Sequence, residues 1–196
     1  MKQQEEIRNR ILSRLDLIEA SAFLAPSINK SVNSIIKSLK KGNKIVLFGN
    51  GGSAADAQHI AAELIGRFNF NRKSLPAIAL TSNSSTITAL LNDFSSDTIF
   101  SRQCESLISK GDIAIGISTS GNSLNIKKAI ITSKKKGATT IAFLGCKGGI
   151  IKKYTDIPII VNSSSTPQIQ EIHRIIYHII CEIVEKELTK PSKKNG

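Results

Sequence analysis

Residues Lys44 to Ile65, KIVLFGNGGSAADAQHIAAELI, constrain the fold of this chain more than any other stretch. Ile45 to Phe48 is a β-branched, apolar run of the kind that forms a buried strand. Gly49-Asn50-Gly51-Gly52-Ser53 follows, a loop that only small residues turn so tightly, and from about Ser53 an Ala-rich helix is predicted. In that order, the loop's N–H groups and the helix N-terminus face one small space, which attracts anions and phosphate above all. His59 and Glu63 stand at i and i+4 on that helix, so an imidazole and a carboxylate share a face just behind the anion site. On this segment alone they read equally well as a surface pair.

Gly49-x-Gly51-x-x-Ala54 also fits the loose dinucleotide fingerprint, which requires an acid at the end of the next strand. That strand, Ala77 to Leu80, runs into Thr81-Ser82-Asn83 with no acid. A nicotinamide cofactor is therefore not expected.

The chain has 196 residues, enough for one domain with a substantial core. No apolar run approaches the roughly 20 residues of a membrane helix, and the N-terminus lacks the apolar core of a signal peptide. Cys104, Cys146 and Cys181 are odd in number and unpaired in spacing, as in a reduced, cytoplasmic protein. The net charge of +12 raises the question of a nucleic-acid partner. Its lysines are dispersed and the seven Phe and two Tyr do not interleave with them, so most of this charge reads as solvated surface.

Residues 5 to about 24 carry Ile7, Ile11, Leu12, Leu15 and Ile18 at helical spacing, with Pro26 expected to stop the helix. Ile28 to Leu39 form a second helix closed by Gly42. Their apolar faces need a partner, and a helical bundle with other subunits is one solution. Strands then alternate with helices: strands at Ile45–Phe48, Ala77–Leu80, Ile113–Ile117, Thr139–Leu144 and Ile157–Val161, and helices at Ser84–Leu91, Asp97–Ser109, Asn122–Lys136 and about Pro167–Leu188. This alternation predicts an α/β fold, a doubly wound five-stranded parallel sheet of flavodoxin type behind two leading helices. Residues 1–42 are read as a helical pair of the same domain, 43–190 as the sheet domain and 191–196 as a basic tail.

Ligands of such sheets bind beyond the carboxyl ends of the strands. After the third strand comes Gly116-Ile117-Ser118-Thr119-Ser120-Gly121-Asn122-Ser123, a second nest of hydroxyls and amides at a helix start. One hydroxyl would suffice as an N-cap. Two such loops on one edge point to a phosphomonoester. Asn92-Asp93-Phe94 reads as a turn whose first two side chains suit sugar hydroxyls. The last helix carries Gln170-Glu171-Ile172-His173 and then His178. His173 is read as a packing or surface residue. Gln170 and His178 lie about 12 Å apart along a straight helix, too far to share one small ligand easily within a subunit.

Taken together and in order, these blocks resemble the sugar isomerase (SIS) domain, and within it the phosphoheptose isomerases, over nearly the whole chain. The resemblance implies a zinc-containing homotetramer with sites shared between subunits. It implies conversion of D-sedoheptulose 7-phosphate to D-glycero-D-manno-heptose 7-phosphate, on the way to the heptose of bacterial surface lipopolysaccharide. It assigns one Zn2+ per subunit to His59, Glu63, Gln170 and His178. Substrate contacts fall on Asn50, Gly51, Gly52, Ser53, Glu63, Asn92, Asp93, Ser118, Thr119, Ser120, Ser123 and Gln170, with Glu63 and His178 as the acid/base pair. Pro167 and Gln168 stand where the family often has a charged residue, which bears on ring opening. The alternatives are a SIS isomerase for another sugar phosphate, or the sister adaptor that binds the bacterial replication initiator. That adaptor typically lacks the acid at position 63 and the histidine at position 178, both present here.

Overall fold

Five short runs rich in Ile, Val and Ala become parallel strands because a strand covered on both faces has no side for polar residues. In the computed structural model, which describes residues 2–189, they are β1 (Ile45–Gly49), β2 (Ala77–Ala79), β3 (Ile113–Ser118), β4 (Thr139–Leu144) and β5 (Ile157–Ile160). The basic tail read at 191–196 lies outside the described residues. The sheet order is β2-β1-β3-β4-β5, with Ile45 opposite Ala77 on one side and Ile113 on the other. Every residue of β1 and β3 is buried.

Alternate side chains of each strand go to opposite faces. Ile45, Leu47, Ile115 and Phe143 pack with α2 (Ala25–Lys40), α3 (Gly52–Ile65) and α7 (Thr166–Thr189). Val46, Phe48, Ala114 and Leu144 pack with α5 (Ile99–Leu107) and α6 (Leu124–Lys135). This is the doubly wound α/β sheet expected from the strand–helix alternation, with α1 (Lys2–Ala20) and α2 leading it.

Several boundaries differ from the sequence reading. Pro26 does not stop α1: the break is a 3-10 turn at Ser21–Leu24, and Pro26 sits in the first turn of α2, where its missing N–H has no helical partner to lose. Asn92 and Asp93 are not a turn but the last residues of α4 (Ser84–Asp93), whose N-cap Asn83 accepts from the Thr86 N–H. The segment expected as one helix from Asp97 begins as a 3-10 turn, Ser96–Thr98, before α5. Gly42 closes α2 as expected, at φ +78°.

α1 buries no residue among those described, and Ile11, 66% exposed, heads a stripe with Ile7, Leu12, Leu15 and Ile18. A second stripe, Ile175, Ile179 and Ile183, runs along α7. An ion pair from Arg14 to Glu171, 2.6 Å long, ties the two helices. No helix among the described residues is long and apolar enough to cross a membrane.

His173 resolves as a packing residue. Its ring is fully buried against Phe143, Nε2 lies 3.1 Å from the Leu144 carbonyl, and Nδ1 has no hydrogen-bond partner. Burial pushes its pKa down to about 4. Below the ordinary 6.5 the unfolded chain takes up a proton that the folded chain refuses until about pH 4. Stability present above pH 6.5 is therefore lost on acidification, by about 3 kcal/mol at one tenfold step per 1.36 kcal/mol. Urea midpoints between pH 7 and 4 are expected to fall more steeply in the wild type than in His173→Gln, which does not titrate. Parallel curves would show that His173 is not the sensor.

Candidate active site

The two loops seen in the sequence meet at the point where the strand order reverses. β1 pairs with β2 on one side and β3 on the other, so the β1–α3 and β3–α6 loops open side by side at the carboxyl edge, Gly49 opposite Ile117. This crevice is where open α/β sheets bind ligands. Gly49 leaves no room for a Cβ, which would stand 2.5 Å from the Ser53 carbonyl oxygen. Gly51 adopts φ +53°, a conformation that side chains disfavour. Together they let the chain turn directly from β1 into α3. In the second loop the Ser118 and Ser123 hydroxyls are 3.0 Å apart, and Ser120 Oγ accepts from the Asn122 N–H. The side-chain amides of Asn50 and Asn125 exchange two 3.0 Å hydrogen bonds, joining the loops. Asn125 was missed by the sequence reading, because nothing in its local spacing indicates a partner 75 residues away.

Behind the loops, α3 and α7 pack face to face and bring three donors together. His59 Nε2 is 2.9 Å from Glu63 Oε1, and His178 Nε2 is 3.5 Å from His59 Nε2. One ligand atom from each residue lies within 4.8 Å of the others, a group able to hold a metal ion. Two imidazoles and a carboxylate match the donor preference of zinc and related divalent ions. All three side chains are half-buried, so a substrate can reach them. Burial, followed by the neighbouring His59, holds the His178 imidazole below its ordinary value.

Gln170 is not brought into this cluster in the protomer. Its side-chain amide stands beside Gly52 at the start of α3, where a Cβ would collide with it, two turns along α7 from His178. Asn92 and Asp93 are exposed at the end of α4 and bonded to each other at 2.8 Å. Ser53 and Ser118 are buried at the loop bases, whereas Gly51, Gly52 and Ser120 are exposed at the mouth. Pro167 sits in the first turn of α7, and Gln168 accepts from the Ser163 hydroxyl, a local bond that supplies no charge.

The SIS domain profile matches residues 9–145. A phosphoheptose isomerase from Geobacter sp. is 47% identical over 185 residues, covering 94% of this chain and 96% of that protein. One from Sulfurimonas denitrificans is 55% identical over 164 residues, 82% of this chain and 84% of that protein. The structure of a phosphoheptose isomerase from Francisella tularensis superimposes with a TM-score of 0.90 at 33% identity, covering 95% of this chain and all of that one. This chain belongs to the phosphoheptose isomerase family of SIS-domain proteins.

Two further groups of residues support the SIS site and were not legible in the sequence. Glu185, on α7, is buried and accepts the main-chain N–H groups of Phe68, Asn69 and Phe70 together with Arg72 Nε at 2.8 Å. The Arg72 guanidinium, 5% exposed, also donates to the carbonyls of Glu63 and Leu64. This hub ties the α3–β2 loop to α7 and sets Phe68 5.9 Å from the His178 ring. The second group, Asp56, Arg174 and Tyr177, stands behind His59.

Proposed function

We propose that this chain isomerises D-sedoheptulose 7-phosphate to D-glycero-D-manno-heptose 7-phosphate by an enediol route. The observation that carries the reading is the meeting of Glu63 and His178 beside His59, from helices more than 100 residues apart, behind two hydroxyl-rich loops. An adaptor has no use for such an acid/base pair. The named relatives are phosphoheptose isomerases at high identity and coverage.

Moving a carbonyl from C2 to C1 requires a base to lift a proton from C1 and an acid to place one on C2. Glu63 and His178 supply that pair. In the forward direction one takes the C1 proton as the C2 oxygen gains one, which gives the enediol. The C1 hydroxyl then loses its proton as C2 receives one. The hydroxyls of Ser53, Ser118, Thr119, Ser120 and Ser123, with the amides at Asn50, Gly51 and Gly52, hold the phosphate at the N-terminus of α3. Asn92 and Asp93 are assigned to sugar hydroxyls.

His59, Glu63 and His178 fit a Zn2+ ion, one per subunit. When bound, zinc supplies Lewis-acid polarisation of the carbonyl and charge stabilisation for the enediolate. Gln170, the fourth assigned donor, lies with the phosphate loop in its own protomer. It reaches such a centre from a neighbouring copy and otherwise contacts substrate. The exposed stripes of α1 and α7 support assembly into a homotetramer with sites at subunit contacts. On this reading the protein acts in the cytoplasm.

Turnover in heavy water tests the route. The aldose product is expected to carry solvent deuterium at C2, read by mass spectrometry or NMR. Turnover with no deuterium at C2 would mean that the C1 hydrogen reaches C2 without exchanging with water, and would contradict a path in which one residue lifts the proton and the other delivers it.

A further inference from the structure

His59 turns Nε2 toward Glu63 and His178, and its other ring nitrogen has a partner of its own. His59 Nδ1 lies 3.2 Å from the Tyr177 hydroxyl, which lies 3.4 Å from Asp56 Oδ1. Arg174 completes the group, with Nε 3.1 Å from the Tyr177 hydroxyl and Nη2 3.3 Å from Asp56 Oδ1. Tyr177 and Asp56 are each 1% exposed, so this arrangement is sheltered from water, whereas the Arg174 side chain is 59% exposed.

We propose that Tyr177 is a positioning residue whose hydroxyl oxygen, oriented by Asp56, accepts the Nδ1 proton of His59 and so presents its bare Nε2 to the metal. The tyrosine hydroxyl has one proton to give and two lone pairs to offer. A guanidinium only donates, so one lone pair faces Arg174 Nε. A carboxylate only accepts, and Asp56 is buried with few donors, so the single hydroxyl proton goes to Asp56. The remaining lone pair faces His59 Nδ1, and that nitrogen must then carry a proton. A neutral imidazole protonated at Nδ1 has its lone pair at Nε2, the atom directed at Glu63 and His178. Residues that accept the far N–H of a ligating histidine fix both its tautomer and its ring rotation, and their loss weakens metal binding.

This inference deepens the isomerase reading and rests on its assignment of His59 to the metal. Tyr177→Phe removes only the hydroxyl and keeps the ring against His178, 4.7 Å between centroids. Zinc and cobalt affinities of the full-length protein, measured by competition with a chelating dye, are expected to weaken about 10- to 100-fold. Saturating zinc should restore most of kcat, with KM for the sugar phosphate unchanged. In the zinc-loaded wild type, the His59 Nδ1–H is expected to give a solvent-protected NMR resonance that exchanges rapidly in Tyr177→Phe. A purely packing role would lower the melting temperature and move neither the affinity nor that resonance. Asp56→Asn provides the second variant, with the same direction of change, should Tyr177→Phe fail to fold. Wild-type affinity and a protected Nδ1–H in the folded variants would overturn the inference alone. A wild-type protein that binds neither zinc nor cobalt would overturn the metal reading and this inference with it.

Discussion

Glu63→Gln and His178→Ala are each expected to lower kcat on sedoheptulose 7-phosphate by about 100- to 10,000-fold, the usual contribution of a positioned acid or base. Glu63→Gln keeps the shape of the side chain and its place beside His59 but removes the carboxylate. His178→Ala removes the imidazole whose pKa burial and His59 lower. Because the two act on one proton path, the double variant should be little worse than the poorer single variant. Steady-state kinetics at saturating zinc and substrate, beside circular dichroism to show that the fold persists, makes the comparison. A folded variant that keeps most of the wild-type rate would remove that residue from the chemistry.

The second large effect is on stability. Glu185→Ala would leave the Arg72 guanidinium buried without its carboxylate and strip the acceptor from three main-chain N–H groups. Breaking a buried pair by deleting one partner costs about 3–5 kcal/mol, readable as a lower urea midpoint. Replacing both, as Arg72→Met with Glu185→Leu, should recover part of the loss. The same hub adds acid sensitivity. Burial alone would raise the Glu185 pKa, but the N–H groups of Asn69, Phe68 and Phe70, and then Arg72, bring it below the ordinary carboxylate value. A depressed carboxylate contributes stability at neutral pH that is lost as pH falls through its folded pKa. A Glu185→Ala midpoint close to wild type would show that the loop is held by other contacts.

The parts of this structure legible from the sequence are those governed by local spacing. The Ile45–Phe48 run, the glycine loop and the Ala-rich helix follow from strand and helix periodicity, and strands alternating with helices led to the parallel sheet. His59 and Glu63 were visible as an i,i+4 pair. Their meeting with His178 was reached through resemblance, because only the packing of α7 on α3 creates it. Of the two histidines on α7, His173 faces the sheet and His178 the site, a difference of five residues and thus of helix face. The Arg72–Glu185 hub, the Asp56–Tyr177–His59 relay and the Asn50–Asn125 clasp join positions 75 to 121 residues apart. No local pattern encodes them. Pro26 is ambiguous in sequence, because a proline after a helix and a proline in the first turn of the next helix look alike. Asn92 and Asp93 look like a turn in sequence, but α4 runs on to its end through them.

The most direct test of the central claim is conversion of sedoheptulose 7-phosphate by the purified full-length protein, with and without a chelator. Formation of the heptose 7-phosphate is expected, with loss of turnover when the chelator strips the metal and recovery on adding zinc. Full activity after demonstrated metal removal would leave the acid/base pair in place and remove zinc from the account. No conversion by a folded, zinc-supplied protein would contradict the isomerase assignment for this substrate.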